Sequence, residues 1–327
     1  MKLWDDVLGM TNVRRRPWLA AAGAAALSVA LPVRAQAPLP VVASFSILAD
    51  LVRQVGGERV QVRALVGPQA DAHAYHPTPA DVRAVSTARL LVANGLGFEG
   101  WLERLMRSAG YRGELLRVTD GLTPLPAAGA GKRDAAHAHG HDHDHDDGEH
   151  DPHAWQDVRN VLHYVQRIEQ ALCRLDAGGC AGYRQRAADY RARLQALDDE
   201  IRAAWQAIPA AQRKVVTSHD AFRYYAQAYG VTFLPAQGVS TASEPSAAAV
   251  ARLIRHIKAE GVRAVFVERL SDPRLVERIA REAGVRPSRQ PLYSDALSTP
   301  EGPAPDYIAL MRHNTRVLTE AIRGAGG

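Results

Sequence analysis

One pattern recurs along this chain: a short apolar run, then a segment with apolar side chains at helical spacing. It covers residues 41–118 and returns over residues 214–323. Runs without polar alternation belong to strands covered on both faces, and helical segments between them supply that cover, so the pattern implies parallel α/β sheets. In the first half, strands are expected at 41–45, 60–66, 89–93 and 115–118, with helices at 47–55, 78–86, 100–109 and 154–175. Gly56-Gly57 ends the first helix, and Thr78 with Pro79 gives the second a cap and a pre-set first turn. In the second half, strands are expected at 214–217, 231–235, 262–267 and 291–293, with helices at 221–229, 246–260, 273–283 and 306–323. Residues 183–207 carry neither Gly nor Pro. As one helix they would span about 37 Å. The expected fold is α/β: two lobes, each a mainly parallel four-stranded sheet flanked by helices, joined by one long rigid helix.

The N-terminus reads as an export signal covering residues 1–37. Arg14, Arg15 and Arg16 precede a short apolar run, and Ala35-Gln36-Ala37 has the form of a cleavage site. The run is too short and alanine-rich for a membrane span. The arginines leave both Sec-type and twin-arginine export open. No Cys follows the cleavage site, so no lipid anchor is indicated, and no later stretch is expected to cross a bilayer. A periplasmic protein is implied. The remaining ranges divide into an N-terminal lobe (38–182), a connecting helix (183–209) and a C-terminal lobe (210–327). Removing residues 1–37 takes away five basic and two acidic side chains and lowers the net charge from +5 to +2. No basic stripe with interleaved aromatics remains, which argues against nucleic-acid binding. Cys173 and Cys180 lie seven apart. In an oxidising compartment they read as a local disulfide closing a turn after a helix, contributing roughly 2 kcal/mol. A pair of thiolate ligands is the alternative, though the spacing is not C-x2-C and no histidine pair stands nearby.

Seven of the thirteen histidines fall within residues 137–153: His137, His139, His141, His143, His145, His150 and His153. With almost no apolar side chains, residues 123–151 are expected to form a disordered loop. Neutral imidazole is the commonest ligand for borderline metals, so the tract points to a transition metal.

Ligands of open α/β sheets bind beyond the carboxyl ends of the strands. Four candidate donors follow strands or open helices: His73 after the second strand, with His76 competing, His153 behind Asp151-Pro152, His219 after 214–217, and Asp295 after 291–293. Each alone also fits a plainer role as loop residue, cap or turn. Together, three neutral imidazoles and one carboxylate make a tetrahedral site of net charge +1 around a divalent ion, suited to zinc. No position is left vacant for a reacting water, which favours transport over hydrolysis. Neither H-E-x-x-H nor G-x-S-x-G occurs, and nothing places Glu244 or Glu268 as a general base.

Asp151-Pro152-His153-Ala154-Trp155, residues 217–222 (TSHDAF) and residues 293–297 (YSDAL) resemble motifs of the substrate-binding proteins of zinc and manganese ABC importers. Glu268-Arg269 with Asp272-Pro273 resembles a further stretch of that family. The likeness runs from Val41 to about Ile322. It implies two lobes bridged by a long helix, metal held between them by His73, His153, His219 and Asp295, and a membrane permease with its ATPase as partners. The chain departs from the family at Ala72, where Pro is common, and at His76, where an acidic residue is common, which makes His76 a candidate auxiliary ligand. A histidine at the third position and a His-rich loop mark the zinc-type relatives. The expected protein is therefore a non-enzymatic, monomeric zinc carrier, with His137, His139, His141, His143, His145 and His150 as low-affinity sites. The alternatives are a manganese or iron importer subunit of the same fold, or a periplasmic zinc buffer.

Overall fold

The structure is a computed structural model, and it describes residues 37–68, 70–127, 149–241, 245–262 and 264–324. Residues 1–36 of the expected export signal lie outside these, as do His137, His139, His141, His143 and His145.

The first lobe runs β1 (Leu39–Phe45), α1 (Ser46–Gly56), β2 (Val60–Val66), α2 (Pro79–Thr87), β3 (Leu90–Ala93), α3 (Leu102–Ser108) and β4 (Glu114–Arg117), followed by α4 (Val158–Leu175). All strand pairs are parallel, in the order β2-β1-β3-β4. Burial explains the strand composition: β1 and β3 are central and almost wholly buried, whereas edge strand β2 alternates buried and exposed positions. Thr78 starts α2 with a reciprocal cap, its hydroxyl and amide bound to Asp81 at N3.

The long helix is α5 (Cys180–Gln206), 27 residues and so about 40 Å. It packs against α1 and α4 of the first lobe and against α6 and α9 of the second. Its start is tied to α1 by Arg186, which donates to the carbonyls of Val55 and Gly56. Its end is tied to the second lobe by Trp205, donating to Tyr225 Oη, and by Arg202, donating to the carbonyl of Ala228. The helix starts earlier than the expected residue 183, because the Cys173–Cys180 disulfide and an Asp176 knot shape the corner before it. Asp176 there receives Arg59 in a two-bond pair, Tyr183 Oη and the amide of Gly179.

The second lobe contains β5 (Lys214–Thr217), α6 (Arg223–Tyr229), β6 (Thr232–Pro235), α7 (Ala247–Glu260), β7 (Ala264–Val265), α8 (Pro273–Ala283) and α9 (Tyr307–Gly324). Its sheet has three parallel strands, β6-β5-β7, rather than four. The expected fourth strand at 291–293 is reduced to bridges, Val265 to Pro287 and Glu268 to Leu292. Pro287 and Pro291 lack the N–H groups that a longer ladder needs.

Other boundaries differ from the sequence reading: the strand expected at 262–267 is only Ala264–Val265. The helix expected from residue 154 begins at Val158, because Asp157 caps it by accepting the amide of Arg159, and a single 3₁₀ turn (Ala154–Gln156) precedes it. The His-rich segment also has a built neck. The amide of Ala127 donates to Glu149 O, that of Asp151 to Leu125 O, and Pro126 bridges His150. Residues 125–127 and 149–151 are thus paired backbone, not part of a disordered loop. Tyr224 on α6 fastens this neck to the other lobe: its hydroxyl accepts the amide of Leu125 and donates to Asp151 O, while Arg223 donates to Pro126 O.

The main core is continuous across both lobes: Phe45, Trp155, Phe222, Tyr225, Leu297 and Tyr307 belong to one buried cluster. A smaller cluster lies under α7 and α8. The region between the carboxyl ends of the two sheets is therefore largely filled with apolar side chains, and the polar residues left there are exceptions.

Candidate metal centre

Those exceptions converge. His73 lies in the loop after β2, His153 just before the 3₁₀ turn, His219 two residues after β5, and Asp295 beyond the bridge at Leu292. One donor atom from each lies within 4.8 Å of the other three. His73 Nε2 is 3.3 Å from His153 Nε2 and 3.7 Å from Asp295 Oδ2. His153 Nε2 is 3.6 Å from Asp295 Oδ1, and His219 Nε2 is 3.1 Å from Asp295 Oδ2. The side chains of His153, His219 and Asp295 are 0%, 1% and 4% exposed, against 7% for His73. His76 is exposed and stands outside this group, so its expected auxiliary role has no geometric support. His150 sits in the loop neck, also outside the group.

Each member is fixed by neighbours. Asp151 Oδ1 accepts the amide of His153 (2.9 Å) and lies 2.8 Å from its ring Nδ1, which turns Nε2 to the group. Glu268 does similar work for His219: Oε1 accepts its amide (2.9 Å), and Oε2 lies 2.6 Å from Nδ1. Behind His153, Asn94 donates to Pro152 O while accepting the hydroxyl of Tyr164. Asn94 is held in turn by Glu99, which receives the amides of Asn94 and Gly95. That turn needs glycine: Gly95 has φ +91°, and a Cβ would meet Thr119 Oγ1 at 2.8 Å. Behind Asp295, Trp155 Nε1 and Gln156 Nε2 both donate to Ser294 O across the lobes, and the Asn314 amide pairs with both backbone groups of Tyr293.

The sequence reading missed these supporting residues as functional. Asp151 was visible only as part of a motif, and Glu268 lies 49 positions from the imidazole that it braces. A glutamate following the third strand of the second lobe was the one available signal.

The electrostatics suit a cation. Burial lowers the His73 imidazole to about 4, so it is neutral near pH 7. Burial also opposes the charged form of His219, but the carboxylates of Glu268 and Asp295 outweigh it and raise this imidazole well above its ordinary value. Burial works against ionised Asp295 as well, yet His219 and then His153 and His73 hold its carboxyl well below the usual range. Both ring nitrogens of His219, Glu268 Oε2 and Asp295 Oδ1 are buried without an aligned hydrogen bond. Such atoms are expensive to bury unpaired. A divalent cation inside the group would satisfy His219 Nε2 and Asp295 Oδ1 together. Counting Asp151 and Glu268 with Asp295, three neutral imidazoles and a divalent ion sum to −1, not the +1 of the four ligands alone.

Comparisons with known proteins agree with this architecture. Residues 41–321 match the family model ZnuA, described as zinc-uptake complex component A, periplasmic. The manganese-binding lipoprotein MntA of Halalkalibacterium halodurans is 32% identical over 284 residues, covering 87% of this chain and 88% of that protein. The iron-binding protein YfeA of Yersinia pestis is 30% identical over 282 residues, covering 86% of each. Among solved structures, the periplasmic zinc binding protein TroA from Treponema pallidum superimposes with a TM-score of 0.76 at 29% identity, covering 88% of this chain and 99% of that one. The Mn-bound periplasmic metal binding protein from Candidatus Liberibacter asiaticus gives 0.73 at 26% identity, covering 86% and 98%. With the two-lobed fold, the long helix and the matched span together, this chain belongs to the ZnuA family of periplasmic metal-binding components of uptake systems.

Proposed function

We propose that the chain captures Zn2+ with His73, His153, His219 and Asp295 and delivers it to a membrane permease driven by an ATPase. The observation that carries this reading is the convergence of three imidazoles and one carboxylate within 4.8 Å, almost wholly shielded from water. Three nitrogen donors suit zinc better than manganese, which prefers more oxygen. Relatives named for manganese and iron make those ions the competing cargo. A competition titration separates the readings: zinc should displace manganese and Fe2+ by orders of magnitude, and equal or reversed preference would refute the zinc assignment.

Capture needs neutral imidazoles and ionised Asp295. His73 and Asp295 are already in those forms near neutral pH, whereas His219 must lose a proton. Zinc binding should therefore release a proton, and acid should favour release of the ion. We assign the histidines at 137, 139, 141, 143, 145 and 150 to loose sites that raise the local zinc concentration. Deleting residues 137–148 should leave tight one-to-one binding intact, and its loss would refute that assignment. No helix among the described residues is long and apolar enough to cross a membrane.

A further inference from the structure

Asp71 stands two residues ahead of His73 and faces two ways. Its Oδ1 accepts the amide of His73 at 2.8 Å. Its Oδ2 accepts the hydroxyl of Thr241 at 2.6 Å, from the segment that follows β6 in the other lobe. The loop carrying His73 is also tied by Trp101 Nε1 donating to Ala72 O at 2.9 Å and Tyr75 Oη donating to Asp81 at 2.7 Å, and the ring of Phe98 lies edge-on to His73. His73 is also the most exposed of the four convergent residues. A chelated ion leaves stepwise, and the donor nearest solvent is the first to go. His73 swings away more readily once its amide leaves Asp71, and a carboxylate held by donors on both sides is the harder one to leave.

We propose that Asp71 and Thr241 form a cross-lobe pair that positions His73 and sets how fast a bound divalent ion departs. This rests on the metal-site reading above. Thr241 touches no ion in this scheme, so it is a positioning residue acting through Asp71.

The test loads the full-length protein with one equivalent of Zn2+, chases it with excess chelator, and follows release by stopped flow. Thr241→Val keeps the shape but removes the donor, and it should speed release on the order of tenfold, the size expected for one hydrogen bond to a charged acceptor. Thr241→Ser should restore the original rate. Asp71→Ala should be faster still, and Thr241→Val added to it should bring no further acceleration. The thermal midpoint of each metal-free variant separates positioning from general destabilisation, and Thr241→Val should lower it by only a few degrees. Release from Thr241→Val at the original rate, or fully additive effects in the double variant, would overturn the pair while leaving the metal site standing. Failure of the unaltered protein to bind zinc one-to-one would overturn both.

Discussion

The imidazoles at the bottom of the group and the one at its rim are held by different means. His153 and His219 each have a carboxylate, Asp151 or Glu268, that takes the backbone amide and also lies against ring Nδ1. His73 has a carboxylate on its amide alone, and among the described residues none lies within ion-pair distance of its Nδ1. The two deep rings are buried and held in rotation by those carboxylates before an ion arrives. The rim ring is kept neutral mainly by burial, and no carboxylate braces its Nδ1 among the described residues. A carrier must bind tightly and still let go. A fixed pair with one adjustable arm separates those tasks among chemically identical side chains.

The sharpest way to break this comparison is to remove ligands one at a time. A closed zinc site worth about 12 kcal/mol shares about 3 kcal/mol among each of four ligands, roughly a hundredfold in affinity. Asp295→Ala, His153→Ala and His219→Ala should each weaken zinc by at least that much by calorimetry. His73→Ala should lose less, because water can take the rim position. Equal losses at all four positions would erase the distinction. Next in size are the bracing carboxylates: Glu268→Gln and Asp151→Asn should each weaken zinc by about ten- to a hundredfold without unfolding the chain.

Proton uptake sharpens the same contrast. In the ion-free protein, His219 is held well above its ordinary value and His73 down at about 4. Near pH 7, His219 is the protonated one, so zinc must displace its proton and apparent affinity should fall as pH drops. Calorimetry in buffers of different ionisation enthalpy should count about one proton released per ion. In Glu268→Gln the count should fall, since the first carboxylate raising His219 is gone. An unchanged count would place the proton elsewhere.

The smallest effect is expected far from the site. Arg59 holds the Asp176 carboxyl down to about 2. A depressed carboxyl contributes stability that is full above its unfolded value of about 4 and is lost as pH falls through 2. Asp176→Asn should lower the thermal midpoint at pH 7 and make little difference near pH 2, with zinc affinity unchanged throughout. A change in affinity would mean that the corner before α5 reaches the metal group.

Much of this was legible from sequence because it is local. Apolar runs, the Thr78-Pro79 start of α2 and the Asp-Pro ahead of His153 are written in neighbouring residues. The convergent donors were reachable because strand ends are where such folds place their ligands. The bracing of His219 by Glu268 and the grip of Trp155 and Gln156 on Ser294 were not, since they join residues 49 and about 139 positions apart through the packing of the two sheets. The missing fourth strand had a local cause, the prolines at 287 and 291, which the apolar pattern around residue 292 concealed.

The paired neck of the His-rich segment has a consequence for how such a chain can vary. Ala127 bonds to Glu149 and Leu125 to Asp151, and Tyr224 fastens both sides from α6. Everything between is inserted at one closed junction. The entropy of closing a longer insert grows only logarithmically, by about 0.6 kcal/mol per doubling of length. The segment can therefore lengthen, shrink or exchange its histidines for other residues while Asp151 and His153 keep their places. It is a cassette, open to change without disturbing the convergent residues next to it.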